Sequence, residues 1–104
     1  MNFNEVRTRF APSPTGFMHL GTLYQMMIAK KLAQQSDGVF MLRIEDTDTK
    51  REVQGAVEVI LKCADSFGLQ PDEGPTYGGE YGSYYQSERK DVYHSVVAEL
   101  LERG

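Results

Sequence analysis

The chain has 104 residues, 40% of them hydrophobic and 25% charged, a balance that suits one folded domain and excludes a disordered chain. Its formal net charge of -4 argues against a clamp that grips nucleic acid by neutralising phosphates, because such a clamp needs a basic face. A lone cysteine, Cys63, leaves no internal disulfide framework and no multi-cysteine zinc site, and points to a reducing cytoplasm. The apolar runs are too short for a membrane span, and Met1 to Arg9 is too charged for a secretory signal.

From Val6 to Ala11, the residues Val6, Thr8 and Phe10 alternate with Arg7, Arg9 and Ala11 ahead of Pro12 and Pro14. That predicts a strand ending in a loop. Between His19 and about Gln35, Leu20, Leu23, Tyr24, Met27, Ile28 and Leu32 recur at the spacing of a helix with one buried face. Gly38 ends it. Val39 to Ile44 is apolar on both faces, as in a parallel strand covered by helices, so the first three elements make a βαβ unit. Thr49 and Glu52 have the spacing of a capping box, followed by a helical stripe of Val53, Ala56, Val57, Ile60, Leu61, Ala64 and Phe67, on which Cys63 packs. Gly68 and Pro71 stop this second helix.

Leu69 to Gln86 interleaves Pro71, Gly74, Pro75, Gly78, Gly79 and Gly82 with Tyr77, Tyr81, Tyr84 and Tyr85, which predicts a long surface loop whose tyrosines pack locally. Ser87 is placed to cap a third helix. Glu88 and Asp91 suit its positive end, and Tyr93, Val96, Val97, Leu100 and Leu101 form its apolar stripe. Only two strands are predicted, so the sheet has open edges, and the chain looks cut short before a third. Weak stability or self-association of the isolated chain is the expectation. Overall the pattern is that of an α/β protein, a first portion of a Rossmann-like nucleotide-binding fold with parallel strands and flanking helices.

Ligands in such sheets sit beyond the carboxyl ends of the strands. Two polar clusters fall there: Arg9 to Gly16 leading into His19-Leu20-Gly21-Thr22, and Arg43-Ile44-Glu45-Asp46-Thr47-Asp48. A βαβ crossover brings both to one edge of the sheet. The helix start offers free N–H groups to phosphate, Gly21 permits close approach, and His19 can donate to phosphate oxygens. Arg9 suits a carboxylate and Glu45 an ammonium group, the opposite ends of an amino acid, with Ser13 as a small polar contact. Plainer roles compete. A helix-terminal histidine is more often a cap than a catalyst, and His94 keeps that reading. Arg9 suits a structural ion pair, and Asp46 and Asp48 are best read as caps of the second helix. A calcium loop fails because its required glycine falls at Arg51. No metal site is expected.

These motifs are similar to those of glutamyl-tRNA synthetases. His19-Leu20-Gly21-Thr22 resembles the His-x-Gly-x signature of the class I aminoacyl-tRNA synthetases, preceded by Arg9-Phe10-Ala11-Pro12-Ser13-Pro14-Thr15-Gly16 and followed by Arg43-Ile44-Glu45-Asp46-Thr47-Asp48. Asp72-Glu73-Gly74-Pro75, Gly78-Gly79 and Tyr85-Gln86-Ser87-Glu88-Arg89 extend the likeness over nearly the whole chain. Glutaminyl enzymes differ at Pro12 to Gly16 and at Glu45 to Asp48. Thr22 departs from the second histidine common in the class, and no Lys-x-Ser-Lys motif occurs.

The resemblance implies that residues 1–104 form the N-terminal portion of a catalytic domain that activates L-glutamate with ATP and Mg2+ and transfers it to tRNA(Glu). It implies His19 as the catalytic residue, His19, Gly21 and Thr22 at ATP, and Arg9, Ala11, Ser13 and Glu45 at glutamate. The tRNA contacts would come mainly from sequence not present here. The parent would be a cytoplasmic monomer without membrane contact, and the isolated piece an incomplete catalyst. Two alternatives stand beside this: a truncated, non-catalytic nucleotide-binding or interaction module, and a related enzyme that activates glutamate to modify a tRNA base.

Overall fold

The computed structural model describes residues 5–104, so the first four residues of the charged Met1 to Arg9 stretch lie outside it. Strands β1 (Arg7–Phe10) and β2 (Val39–Leu42) run parallel, with Arg7 beside Val39 and Phe10 beside Leu42, and helix α1 (Leu20–Gln35) crosses between them. This is the βαβ unit read from the sequence. Phe10, Phe40, Leu42 and Ile44 are buried in one cluster with Met26 and Ala33 of α1 and with Ile60 and Ala64 of α2 (Ala56–Ser66). Each large side chain removed from water there contributes roughly 1.5–3 kcal/mol before entropy is counted. Val39 and Met41, which alternate with the buried Phe40 and Leu42, are only half-buried, so the expected two-sided burial of β2 holds on one face.

Helix α1 forms where its spacing predicts, but its buried face is a different one. Met26 and Ala33 are buried and Ala29 partly so, while Leu20, Tyr24, Met27, Ile28 and Leu32 are exposed. Two alanines let the helix approach the strands closely enough for the Thr8 hydroxyl to donate to the Ala29 carbonyl at 2.6 Å, and the bulkier apolar residues turn outward.

Helix α2 starts at Ala56, later than a capping box at Thr49 and Glu52 requires. Gly55 precedes it in the left-handed region with φ 84° and no side-chain cap, and the Val53 N–H is committed to the Pro14 carbonyl at 2.8 Å. That bond holds the segment before the helix against the β1 loop. Phe67, assigned to the buried stripe, is exposed.

The segment from Asp72 to Gln86 is not a free surface loop. It runs along the outer edge of β2, where Leu42 N–H donates to the Glu73 carbonyl (2.9 Å), Ile44 N–H to the Tyr84 carbonyl (2.9 Å) and Gln86 N–H to the Ile44 carbonyl (2.8 Å). The Phe40 N–H donates to the Asp72 carboxylate at 2.8 Å. The β2 edge expected to be open is therefore occupied. Tyr84 is buried at 6% exposure, its hydroxyl donating to Glu73 (2.9 Å), which also pairs with Arg7 (2.6 Å). Burial, and then the Glu73 carboxylate, raise the Tyr84 hydroxyl above its ordinary pKa.

A short 3-10 turn (Gln86–Arg89) leads into helix α3 (Lys90–Arg103). Ser87 lies inside that turn and does not cap α3, whose N-cap residue is Arg89. The predicted stripe of α3 is solvent-facing: Val96, Val97, Leu100 and Leu101 are all exposed.

Candidate functional site

The parallel pairing continues past the strand ends through loop backbone. Phe10, Pro12 and Pro14 present carbonyls that accept from the N–H groups of Arg43 (3.0 Å), Glu45 (2.9 Å) and Val53 (2.8 Å). Proline cannot donate a ladder bond, but its carbonyl still accepts. Pro14 is fully buried. The two polar clusters are thus held side by side, as the crossover demands.

His19 is the N-cap residue of α1, with extended backbone (φ -127°, ψ 173°). Its Nδ1 accepts from the Thr22 backbone N–H at 3.4 Å, and its Nε2 lies 2.9 Å from the Thr22 hydroxyl. The plain reading of His19 as a cap is thus structurally realised, and it leaves the ring at a pocket. A Cβ on Gly21 would sit 3.3 Å from Cε1 and Nδ1 of that ring, a tighter approach than side-chain carbons normally make. Glycine here gives the imidazole its place.

A pocket of about 280 Å³ opens beside the ring, lined among others by Pro12, Ser13, Thr15, His19, Thr22 and Ile60. It brings together Ser13, His19 and Thr22. Arg9, Ala11 and Glu45 are not in its lining. Arg9 is exposed and alternates with the buried Phe10, and Glu45 is half-buried and alternates with the buried Ile44, so both lie across the sheet from the core. Pro12 links the two groups, since it lines the pocket while its carbonyl takes the Glu45 N–H.

Glu45 has a partner that sequence reasoning missed. Arg43 donates to its carboxylate at 3.0 Å, with side-chain exposures of 20% and 31%. The Arg43 Nε is buried without a partner. Strand alternation puts residues 43 and 45 on one face, so the pairing was available as a signal. Asp46 does not cap α2. Its carboxylate accepts from both the Ser87 N–H and the Ser87 hydroxyl, each at 2.8 Å, and so secures the turn that starts α3. Asp48 pairs with Arg51 at 2.9 Å on the surface instead of capping a helix. Among the described residues, no cluster of three or more His, Cys, Asp or Glu side chains suits a metal.

A second groove of about 410 Å³ runs over α1, lined by Leu20, Gly21, Leu23, Tyr24 and Met27. It carries no acid, base or ammonium group. Among the described residues, no helix is long and apolar enough to cross a membrane.

Residues 5–104 match the family model for the catalytic domain of class I tRNA synthetases, E and Q. A glutamate–tRNA ligase of Clostridium novyi (strain NT) is 53% identical over 104 residues, all of this chain and 21% of that protein. One from Acetivibrio thermocellus is 54% identical over 100 residues, 93% of this chain and 18% of its own length. The crystal structure of a glutamate tRNA ligase from Elizabethkingia meningosepticum in complex with its amino acid aligns with a TM-score of 0.90 at 46% identity, over 94% of this chain and 20% of that one. The chain spans about a fifth of the length of the curated relatives it matches.

Proposed function

The chain belongs to the family of class I tRNA synthetase catalytic domains for glutamate and glutamine, and from that premise we propose that it is the nucleotide-binding part of a glutamate–tRNA ligase. The observation that carries this reading is the polar pocket in which His19 and Thr22 head α1 beside Ser13. The positive end of a helix dipole favours anions, and the pocket's size suits the phosphate end of a nucleotide better than the whole of it. The chemistry implied is attack of the glutamate α-carboxylate on the α-phosphate of ATP: a carboxyl O–P bond forms, the bond to pyrophosphate breaks, and glutamyl-adenylate results. The acyl group then passes to the 3′ end of tRNA(Glu).

His19 donates to the phosphate oxygens, and Gly21 keeps the ring close to the helix. Arg9 meets a substrate carboxylate, Glu45 meets the ammonium group, and Ala11 and Ser13 complete the wall. Such transfers need positioning and charge stabilisation more than a protein nucleophile. Mg2+ would accompany ATP and offset part of the charge on its phosphates.

The test is glutamate-dependent ATP–pyrophosphate exchange on this chain alone and on a longer protein that carries it as its corresponding segment. Exchange in the longer form, reduced at least a hundredfold by His19→Ala, is the expected result. No exchange in either form, with both correctly folded, overturns the reading in favour of a non-catalytic module.

A further inference from the structure

The resemblance puts Thr22 at ATP without saying what it does there, since it stands where the class commonly has a second histidine. Directions of hydrogen bonding supply one. The Thr22 backbone N–H can only donate, so the Nδ1 it meets at 3.4 Å has to be an unprotonated acceptor. In the neutral imidazole the proton then sits on Nε2. Nε2 lies 2.9 Å from the Thr22 hydroxyl oxygen, which must therefore accept. A hydroxyl that accepts keeps its own proton free to donate elsewhere.

We propose that Thr22 is a positioning residue that clasps His19 by both ring nitrogens and fixes the polarity of the pocket. The inference rests on the reading of the pocket as the phosphate site. Starting from the helix N–H, each bond sets the direction of the next, and the sequence ends with donors at the pocket: the Nε2–H of His19, which an incoming oxygen can share, and the hydroxyl proton of Thr22. The opposite tautomer would set an Nδ1–H against the Thr22 N–H, two donors facing each other. Gly21 takes part by leaving the ring room to lie against the helix start, where a Cβ would press on Cε1 and Nδ1 at 3.3 Å. The pair thus offers a polyphosphate hydrogen-bond donors, without a protein carboxylate in the pocket lining. Serine can do what threonine does here, and valine, which has the same shape, cannot.

The experiment uses the 104-residue chain labelled with ¹⁵N at histidine, at about pH 8.5. Long-range ¹H–¹⁵N correlation is expected to show His19 protonated at Nε2 with a hydrogen-bonded lone pair at Nδ1. Thr22→Ser should keep that pattern. Thr22→Val should shift the Nε2 resonance towards that of a ring free in water while the residue 22 amide signal persists, which shows the helix start intact. A proton on Nδ1 in the wild type, or wild-type resonances at both ring nitrogens in Thr22→Val, overturns the proposal. ATP added to the same samples should move the Nε2 resonance of the wild type and of Thr22→Ser, with binding about tenfold weaker in Thr22→Val. If the ring nitrogens behave as stated and ATP moves nothing, the clasp stands and the nucleotide reading falls.

Discussion

Asp46 shows how a single carboxylate in a ligand-like motif can be committed elsewhere. Its oxygens accept from the Ser87 N–H and hydroxyl across 41 positions of sequence, so its neighbour Glu45 is anchored on one side by this contact and on the other by the Pro12 carbonyl. Asp46→Ala leaves two part-buried donors unpaired and should lower stability by about 1–3 kcal/mol, read as a shifted urea midpoint. Asp46→Asn keeps one acceptor and should lose less. Equal midpoints for Asp46→Ala and wild type would show that the staple carries no weight. Sequence alone makes Asp46 a cap of the second helix, which the structure overturns, because a partner at position 87 leaves no local trace. The tip positions of Arg9, Ser13, His19 and Glu45 are legible, because residues at strand ends and helix starts are placed by the crossover itself. That Glu45 stays out of the lining of the pocket beside His19 is not legible, since it depends on how the loop from Ala11 to Gly16 folds between them.

At the level of elements, the strands and three helices follow from period and punctuation, and the departures have local causes. Gly55 delays α2. With φ 84° and no atom within 4 Å of the place a methyl group would take, Gly55→Ala meets no clash and its only cost is the left-handed backbone, roughly 1–2 kcal/mol. Helix propensity alone would favour alanine by up to about 1 kcal/mol, so a lower melting temperature in Gly55→Ala separates the two effects, and a higher one would refute the backbone argument. The segment beside β2 has a pH signature. Burial first, then the hydrogen bond to the Asp65 carboxylate at 2.7 Å, push the Tyr77 hydroxyl up to about 12 from an ordinary 10.0. The folded chain keeps that proton while the unfolded chain loses it, so the contribution is complete below about pH 10 and disappears as pH rises towards 12. Tyr84 and Tyr85 are raised in the same direction, burial being the first cause in each. Denaturant titrations between pH 9 and 12 should therefore show falling stability, with a shallower fall in Tyr77→Phe. An unchanged slope in that variant would remove Tyr77 from the account.

For the molecule as a whole, the open question is where unsatisfied surface lies. Sequence places it at a bare strand edge, but the hydrogen bonds from Leu42 and Ile44 to the segment at Glu73 and Tyr84 occupy the outer edge of β2. Much apolar surface is bare on the helices as well: Leu20 is 81% exposed and Leu101 77%, with Tyr24, Met27, Ile28 and Leu32 along α1 and Val96, Val97 and Leu100 along α3. The amphipathic patterns predict both helices but not what their stripes meet: in α1 the contact with the strands goes to the small residues Ala29 and Ala33, and the stripe of α3 faces solvent. Exposed apolar side chains along a helix face favour association in water. The isolated chain is therefore expected to self-associate with rising concentration through its helical faces. Met27→Lys combined with Leu32→Glu puts two good helix formers on the exposed side of α1, where they disturb no buried contact. Sedimentation should show association at least tenfold weaker in this double variant, with circular dichroism unchanged. A wild-type chain that stays monomeric across the same concentrations would mean that the exposed stripes are too dispersed to act together.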